Sequence, residues 1–452
     1  MKTSNVNMLS GSITKGLLAM AIPIMIMNVM QTLFTIIDMT VLKIFSDDRA
    51  VGSVGACGML ITLSTSLLIG ISAGANVVIA RRIGSGKKEQ ANKAVMTAIL
   101  FSIFGGILLM IIGVTFAETF LKMTNCPDSL LMQATKYMKI FFCGIPISML
   151  YNFCASILRA IGETKKPMYF ILSGGVIKVL FTLLFVIVFD MTVEGVAFAN
   201  IISNTIICTL AFVTILKGQN VVSINLKEIK FDIAELKDIL FIGIPAGFQS
   251  ALYSFANVVI TSVVNSFGAD ATTGIAIANQ FDGILYQISY APSLAITPYI
   301  AQNIGAGNIK RAKQAFLRSV LITTAFGATF GFLSAFFSEH LSSIMSSTPA
   351  VIAFSRQKMI IISSTYFICG INDVLGGVLR GMQKPIIPTA STFIFIFVLR
   401  LIWVYAIFPH CPNLTFLYAV WPIGWTLSII TLLIAYSITI PKLQGKIELQ
   451  KI

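Results

Sequence analysis

The chain has 452 residues, 56% of them hydrophobic and only 11% charged, and its mean hydropathy is +0.88. A soluble domain carries about 25% charged residues, so this composition excludes a water-soluble globule and points to an integral membrane protein. The net charge of +14 does not call for nucleic acid: most Lys and Arg fall at the two ends and in the even-numbered connections between apolar segments, which is the positive-inside signal of membrane topology.

Apolar segments fall at 16–45, 51–80, 92–117, 131–161, 167–189 and 194–216. After a charged stretch they resume at 236–266, 273–303, 313–338, 351–381, 386–408 and 414–440. Each runs without alternation for the length of a helix crossing a hydrocarbon core roughly 30 Å thick, unlike the strands of a barrel. Twelve spans are expected, with both termini in the cytoplasm. Residues 1–15 lack the short apolar core and small-residue cleavage site of a secretory leader, so no cleavable signal peptide is expected.

The first span opens on Ala21-Ile22-Pro23 and carries Asp38 more than a turn inside the boundary set by Lys43, Asp47 and Asp48. A carboxylate near a helix centre costs about 2.5 to 3.5 kcal/mol on insertion scales, so it needs a partner or a wet cavity. Two readings stay open for Asp38: a functional carboxyl facing the protein interior, which its position favours, and a structural hydrogen-bonding residue at the membrane boundary.

After the second span comes IGSGKKEQANKA (83–94), and after the eighth IGAGNIKRAKQA (304–315). Each is a Gly-x-Gly turn followed by a basic amphipathic stretch. No strand precedes them, no third glycine follows at nucleotide-binding spacing, and no P-loop GK[ST] occurs in the chain, so ATP-driven pumping by this chain alone is not expected. In the fifth span Lys178 lies about 16 Å along the helix from Pro167. An internal carboxylate is a better solution for its ammonium than snorkelling to the surface.

The second half carries Asp282 and Asp373 within spans, with Arg400 a candidate counter-ion. Either these form a second polar cluster, or Asp373 and Arg400 neutralise each other to brace two helices. Gln31, Asn152 and Gln287 are candidates for lining a cavity. Seven cysteines are scattered without disulfide or metal-ligand spacing, and no metal or cofactor is expected. The two histidines, His340 and His410, fall in expected outer loops, which disfavours a membrane enzyme with a buried histidine base. A cavity lined by some of the 34 Phe, 11 Tyr and 19 Met would accept apolar cations of varied shape.

The halves repeat each other. Ala21-Ile22-Pro23 answers Gly243-Ile244-Pro245, Leu158-Arg159-Ala160 answers Leu379-Arg380-Gly381, and Gly84 and Arg159 are as far apart as Gly305 and Arg380. A repeat of six spans is even, so both copies enter from the same side, an architecture known among secondary transporters. The expected fold is an all-α membrane protein with twelve transmembrane helices in two parallel-repeat six-helix lobes, residues 1–217 and 236–452, joined by a cytoplasmic linker at 218–235.

Pro23 and Asp38 in the first span, the two Gly-x-Gly stretches, LRAIGETKKP (158–167) and VEGVAFANIIS (193–203) together make the chain resemble the multidrug and toxic compound extrusion (MATE) family, over essentially residues 10–441. The resemblance implies a V-shaped pair of six-helix lobes that exports organic cations in exchange for protons or sodium. It implies that Asp38 takes part in coupling and that Pro23 bends its helix. Many relatives carry Asn and Asp four apart on the fifth span, where this chain has Lys178 and Thr182; the sixth-span position that is often Thr is Asn200 here. Lys178 is therefore expected to occupy the place of the coupling cation and to pair with Asp38, which disfavours sodium there.

The expected function is a proton- or sodium-coupled antiporter in the bacterial cytoplasmic membrane. It would act as a monomer on amphipathic, cationic small molecules. The alternative within the same superfamily is a flippase for lipid-linked precursors, which needs several arginines to hold a pyrophosphate.

Overall fold

The computed structural model describes residues 6–45, 48–124, 126–218 and 230–449; most of the connection expected at 218–235 lies outside them. Among the described residues the chain is all-helical. The first half consists of α1 (Ile13–Phe45), α2 (Asp48–Gly84), α3 (Lys88–Met123), α4 (Asp128–Cys143), α5 (Ile145–Ala160), α6 (Lys165–Leu183) and α7 (Val193–Leu216). The second consists of α8 (Ile233–Asn265), α9 (Ala269–Gly305), α10 (Ile309–Phe336), the short α11 (Ser338–Met345), α12 (Pro349–Ser363), α13 (Tyr366–Gly381), α14 (Ile386–Thr392), α15 (Leu399–Ile402), α16 (Leu414–Tyr418) and α17 (Val420–Leu449). Wider π-helical turns extend α6 over Leu184–Val188 and continue α14 and α15 to Ile407, and a tighter 3-10 turn, Phe408–His410, ends that segment.

These helices make twelve membrane-length segments. Nine unbroken segments and two bent pairs, α4 with α5 and α12 with α13, are long and apolar enough to cross a bilayer. The twelfth, α9, has 37 residues but carries Asn279, Asp282 and Gln287 along its middle. Both bent pairs turn by 46°, and the repeat sets the two breaks opposite each other. At the first, Pro146 sits in the opening turn of α5 without an N–H to offer α4. At the second, the Ser364 and Thr365 hydroxyls donate to the Ile360 and Ile361 carbonyls, competing with the helical ladder.

The repeat is visible in packing as well as sequence. In the first half Asn76 Nδ2 donates to Ser156 O and Ser156 Oγ to Ser72 Oγ, stitching α2 to α5. At the matching positions Ser293 Oγ donates to Asp373 O, and Thr297 Oγ1 reaches Gly377 O, stitching α9 to α13. The Gly-x-Gly turns both place their second glycine, Gly86 at φ 73° and Gly307 at φ 72°, in the left-handed region that ends a helix.

Two compact units form, and they do not coincide with the expected halves at 1–217 and 236–452. One is built mainly from Ile26–Gly247 and the other from Asn7–Met25 with the chain from Phe248 onward. The chain changes unit two residues after Pro23 and two residues after Pro245. Within the first unit, Arg82 at the end of α2 binds Glu235 and Asp238 of α8, each at 3.1 Å. Gly70 and Gly74 of α2 approach Gly243 and Gly247 of α8 so closely that a β-carbon on Gly70 would lie 2.2 Å from Gly247 Cα, the small-residue crossing common between membrane helices. Within the second unit, Asn303 Nδ2 donates to Met8 O, and the Arg311 guanidinium donates to the carbonyls of Met8, Ser10 and Gly11. Each unit thus receives the start of the other half's first helix.

Candidate functional site

Asp38 of α1 is buried against α6. Glycine makes the close approach possible: a β-carbon on Gly175 would lie 1.7 Å from the Phe34 ring, so α6 is smooth where α1 presents Phe34. One turn on, Asp38 Oδ2 receives Lys178 Nζ at 2.5 Å, and only 6% of the Asp38 side chain and 12% of the Lys178 side chain are exposed. Thr182 Oγ1 donates to Asp38 Oδ1 at 3.3 Å. Phe34 and Asp38 are one turn apart on α1, as are Gly175, Lys178 and Thr182 in succession on α6, so a single helix contact positions the whole group. Val41, Leu42, Val186 and Val196 form an apolar cluster just beyond it. Two opposite charges in contact, screened from water on that side, carry no net charge. A proton or cation on the carboxylate would leave the ammonium uncompensated.

The other first-unit residues singled out from the sequence lie apart. Asn200 on α7 is half-buried and, among the described residues, makes no hydrogen bond to the Asp38 group. Gln31 is exposed, and half-buried Asn152 donates to Ser148 O on its own helix. Pro23 lies inside α1, which runs through it unbroken in secondary structure.

In the second unit the pairing of Asp373 with Arg400, one of the two readings left open for them, is not formed. Arg400 is 2% exposed; its Nη1 donates to Asn257 Oδ1 at 2.6 Å, and its guanidinium lies over the Trp421 ring at 4.6 Å. Asp373 is buried beside Cys369 Sγ at 4.0 Å, and among the described residues it makes no ion pair. The reason is helical register. Gln249, Tyr253 and Asn257 follow one another at four-residue spacing on α8 and present a polar stripe. Arg380 Nη1 bonds Gln249 Oε1, Asn372 Nδ2 bonds the Tyr253 hydroxyl, and Arg400 takes Asn257. The arginines are thereby occupied by neutral amides.

Asp282 does have a cationic partner, Lys358 of α12, with Nζ 2.9 Å from Oδ2 and both side chains at most 10% exposed. Lys358 also bonds Asn279 Oδ1, one turn before Asp282. Gln287 is half-buried on the same helix. Lys358 escaped the sequence reading, although Val351, Ser355, Lys358 and Ile362 fall on one helical stripe and all four are buried; that spacing was the signal.

A family model, MatE, matches the chain twice, over residues 23–184 and 245–406, each match beginning at the proline that opens its half. The chain belongs to the MatE family. A probable multidrug resistance protein of Bacillus subtilis, YpnP, is 27% identical over 394 residues, covering 86% of this chain and 87% of that protein. A protein of Shewanella oneidensis named FAD transporter is 25% identical over 330 residues, covering 71% of this chain and 72% of its own. Among solved structures, the outward-facing conformation of a multidrug resistance MATE family transporter matches with a TM-score of 0.91 at 19% identity, covering 98% of this chain and all of that one. These matches agree with the two-lobe, all-helical membrane fold of this MatE chain.

Proposed function

We propose that this MatE protein exports amphipathic, cationic small molecules across the bacterial cytoplasmic membrane in exchange for protons, as a monomer with both termini in the cytoplasm. The observation that carries the reading is the Asp38–Lys178–Thr182 group: a buried carboxylate whose partner can be made or lost by a change of charge. When a proton binds Asp38, the neutral pair becomes a lone buried ammonium, and α1 and α6 are no longer held by charge. Moving a few kcal/mol between two helix packings is enough to shift a bistable protein between its states. Sodium is the poorer coupling ion, because Lys178 already stands where a cation would bind and repels another.

The multidrug name of the Bacillus relative supports drug export. The Shewanella relative is named for FAD, an anion, so the preference for cations rests on the residues of this chain and on its many aromatic and methionine side chains. A flippase for lipid-linked pyrophosphates would need several available arginines. The buried arginines among the described residues are Arg380 and Arg400, each bonded to a side-chain amide.

The test is transport in reconstituted vesicles with proton and sodium gradients imposed separately, following one cationic and one anionic dye. The cationic dye is expected to move under the proton gradient. Movement of the anionic dye alone, or of neither dye under either gradient, would overturn the reading.

A further inference from the structure

Lys310, Gln314 and Arg318 follow one another at four-residue spacing on α10, beside a second column made of Lys313, Leu317 and Leu321. All six side chains are exposed, Leu317 by 60% and Leu321 by 61%. Residues so spaced share one helical stripe, so a basic surface passes directly into an apolar one. Helical side chains lean toward the N-terminus, which carries the Arg318 guanidinium back toward Gln314 and Lys310. The end of α17 runs alongside: Lys313 Nζ donates to Gln444 Oε1 at 3.4 Å, and the Phe316 and Tyr436 rings meet at 4.6 Å. No acid answers these cations. α10 has no Asp or Glu in its 28 residues, and among the described residues Lys310, Lys313 and Arg318 make no ion pair. Glu448 of α17 accepts from Gln444 Nε2 instead. Arg311, the remaining cation of α10, is turned onto the carbonyls of Met8, Ser10 and Gly11. The repeat shows that the frame does not require this face. It sets Glu89 opposite Lys310, Asn92 opposite Lys313 and Thr97 opposite Arg318. In the first unit Glu89 binds Lys93 at 2.7 Å, and buried Thr97 accepts the main-chain N–H of Asp232 at 3.0 Å. At these positions the second copy alone is cationic and exposed.

We propose that this face of α10, with the end of α17 beside it, binds the phosphodiester headgroup of an anionic membrane lipid, one acyl chain of which lies along Leu317 and Leu321. The phosphate accepts hydrogen bonds from Lys310, Lys313 and Arg318, and the Gln314 amide can donate to it or to the glycerol. Charge selects the occupant. Three cations within eight residues, about 12 Å of helix, repel one another, and an anion between them removes that cost. A zwitterionic lipid brings a cation of its own to the same place, and a free anion gains nothing from the two leucines. An anionic lipid satisfies both halves of the face, and basic clusters at the ends of membrane helices attract such lipids. The proposal concerns the lipid alone and holds whether or not the transport reading does.

Lipid retention by the purified full chain, read by native mass spectrometry, tests this. The probes are a phosphatidylglycerol and a phosphatidylcholine with the same acyl chains. The parent is expected to hold one phosphatidylglycerol in preference to phosphatidylcholine. Lys310→Gln with Lys313→Gln and Arg318→Gln should weaken that preference about a hundredfold, roughly fivefold for each charge. Lys87→Gln with Lys88→Gln and Lys93→Gln, at the corresponding end of α3, should leave it unchanged. Equal losses in the two triple variants would show attraction to net charge only, and parental retention by the α10 variant would put the lipid elsewhere; either result overturns the proposal. Inorganic phosphate at the lipid's concentration is not expected to displace it, and displacement would mark a site for a free anion and overturn the lipid assignment. Should the α10 triple variant fail to fold, Arg318→Gln alone must weaken retention about fivefold and Arg318→Lys must restore it; parental retention by Arg318→Gln overturns the proposal. In bilayers, the parent is expected to unfold at a higher temperature in phosphatidylglycerol than in phosphatidylcholine, and the α10 variant to lose that difference. The same difference in both proteins would also overturn it.

Discussion

Phe34 of α1 fills the space where a β-carbon on Gly175 of α6 would stand, and one turn further along the same two helices Asp38 meets Lys178. A steric fit and a charge pair therefore share one interface, and disturbing the first should disturb the second. Gly175→Ala is expected to destabilise the protein by about 1–3 kcal/mol, the usual cost of overpacking a fitted contact. Adding Phe34→Leu should recover part of it. Thermal unfolding of the parent and of these two variants checks this, and a neutral Gly175→Ala would mean that the α1–α6 contact is loose.

Removing one member of the pair should be worse than removing both. Lys178→Met leaves Asp38 buried without a cation, for which a loss of about 3–5 kcal/mol is expected. Asp38→Asn with Lys178→Met is expected to cost much less than the two single changes combined. A double-mutant cycle by denaturation measures the coupling, and additive effects would show that the two side chains act independently.

Arg400 offers the opposite experiment, because its acceptor Asn257 is neutral. Asn257→Asp supplies a carboxylate where the amide oxygen now lies. The bond to the guanidinium is already charge-assisted and burying a carboxylate offsets much of the added attraction, so a small rise in stability of about 1 kcal/mol or less is expected. A higher unfolding temperature would bear this out, and a lower one would count against the placement of the guanidinium.

The exchanged helix starts predict a local effect. Arg82→Ala removes the partner of buried Glu235 and of Asp238, so amide exchange across 233–247 is expected to quicken by about tenfold while α13 is unaffected. Hydrogen-exchange mass spectrometry resolves the two segments. Equal acceleration in both would indicate global unfolding instead.

The helices and the repeat were legible because lipid makes a long apolar run nearly synonymous with a spanning helix, and because matched glycines and prolines keep register across hundreds of residues. The Asp38–Lys178 contact was legible because each charge, taken alone, demanded a partner, and the family resemblance then set Lys178 beside Asp38. Matching charges by sign misled the reading for Asp373 and Arg400, since a buried guanidinium is also satisfied by amides and an aromatic face. The repeat held better information: it sets Lys178 opposite Leu399, beside Arg400, and α1 opposite α8, where Asn257 lies. Lys358 lay inside the expected span at 351–381, two residues from Arg356, which is exposed and bound to Glu339, and the sequence reading singled out neither. The exchange of 7–25 between units left no trace in composition, because a polar linker marks where the chain leaves one lobe and says nothing about which unit each half-helix packs in.

The central claim is that the Asp38–Lys178 pair couples ion movement to transport. The direct measurement is the initial rate of cationic dye transport by Lys178→Asn in vesicles, under a proton gradient and then under a sodium gradient. The account predicts that proton-driven transport falls and that sodium, no longer repelled by a resident ammonium, gains effect relative to protons. A Lys178→Asn protein with the parent's rate and the parent's ion dependence would contradict it.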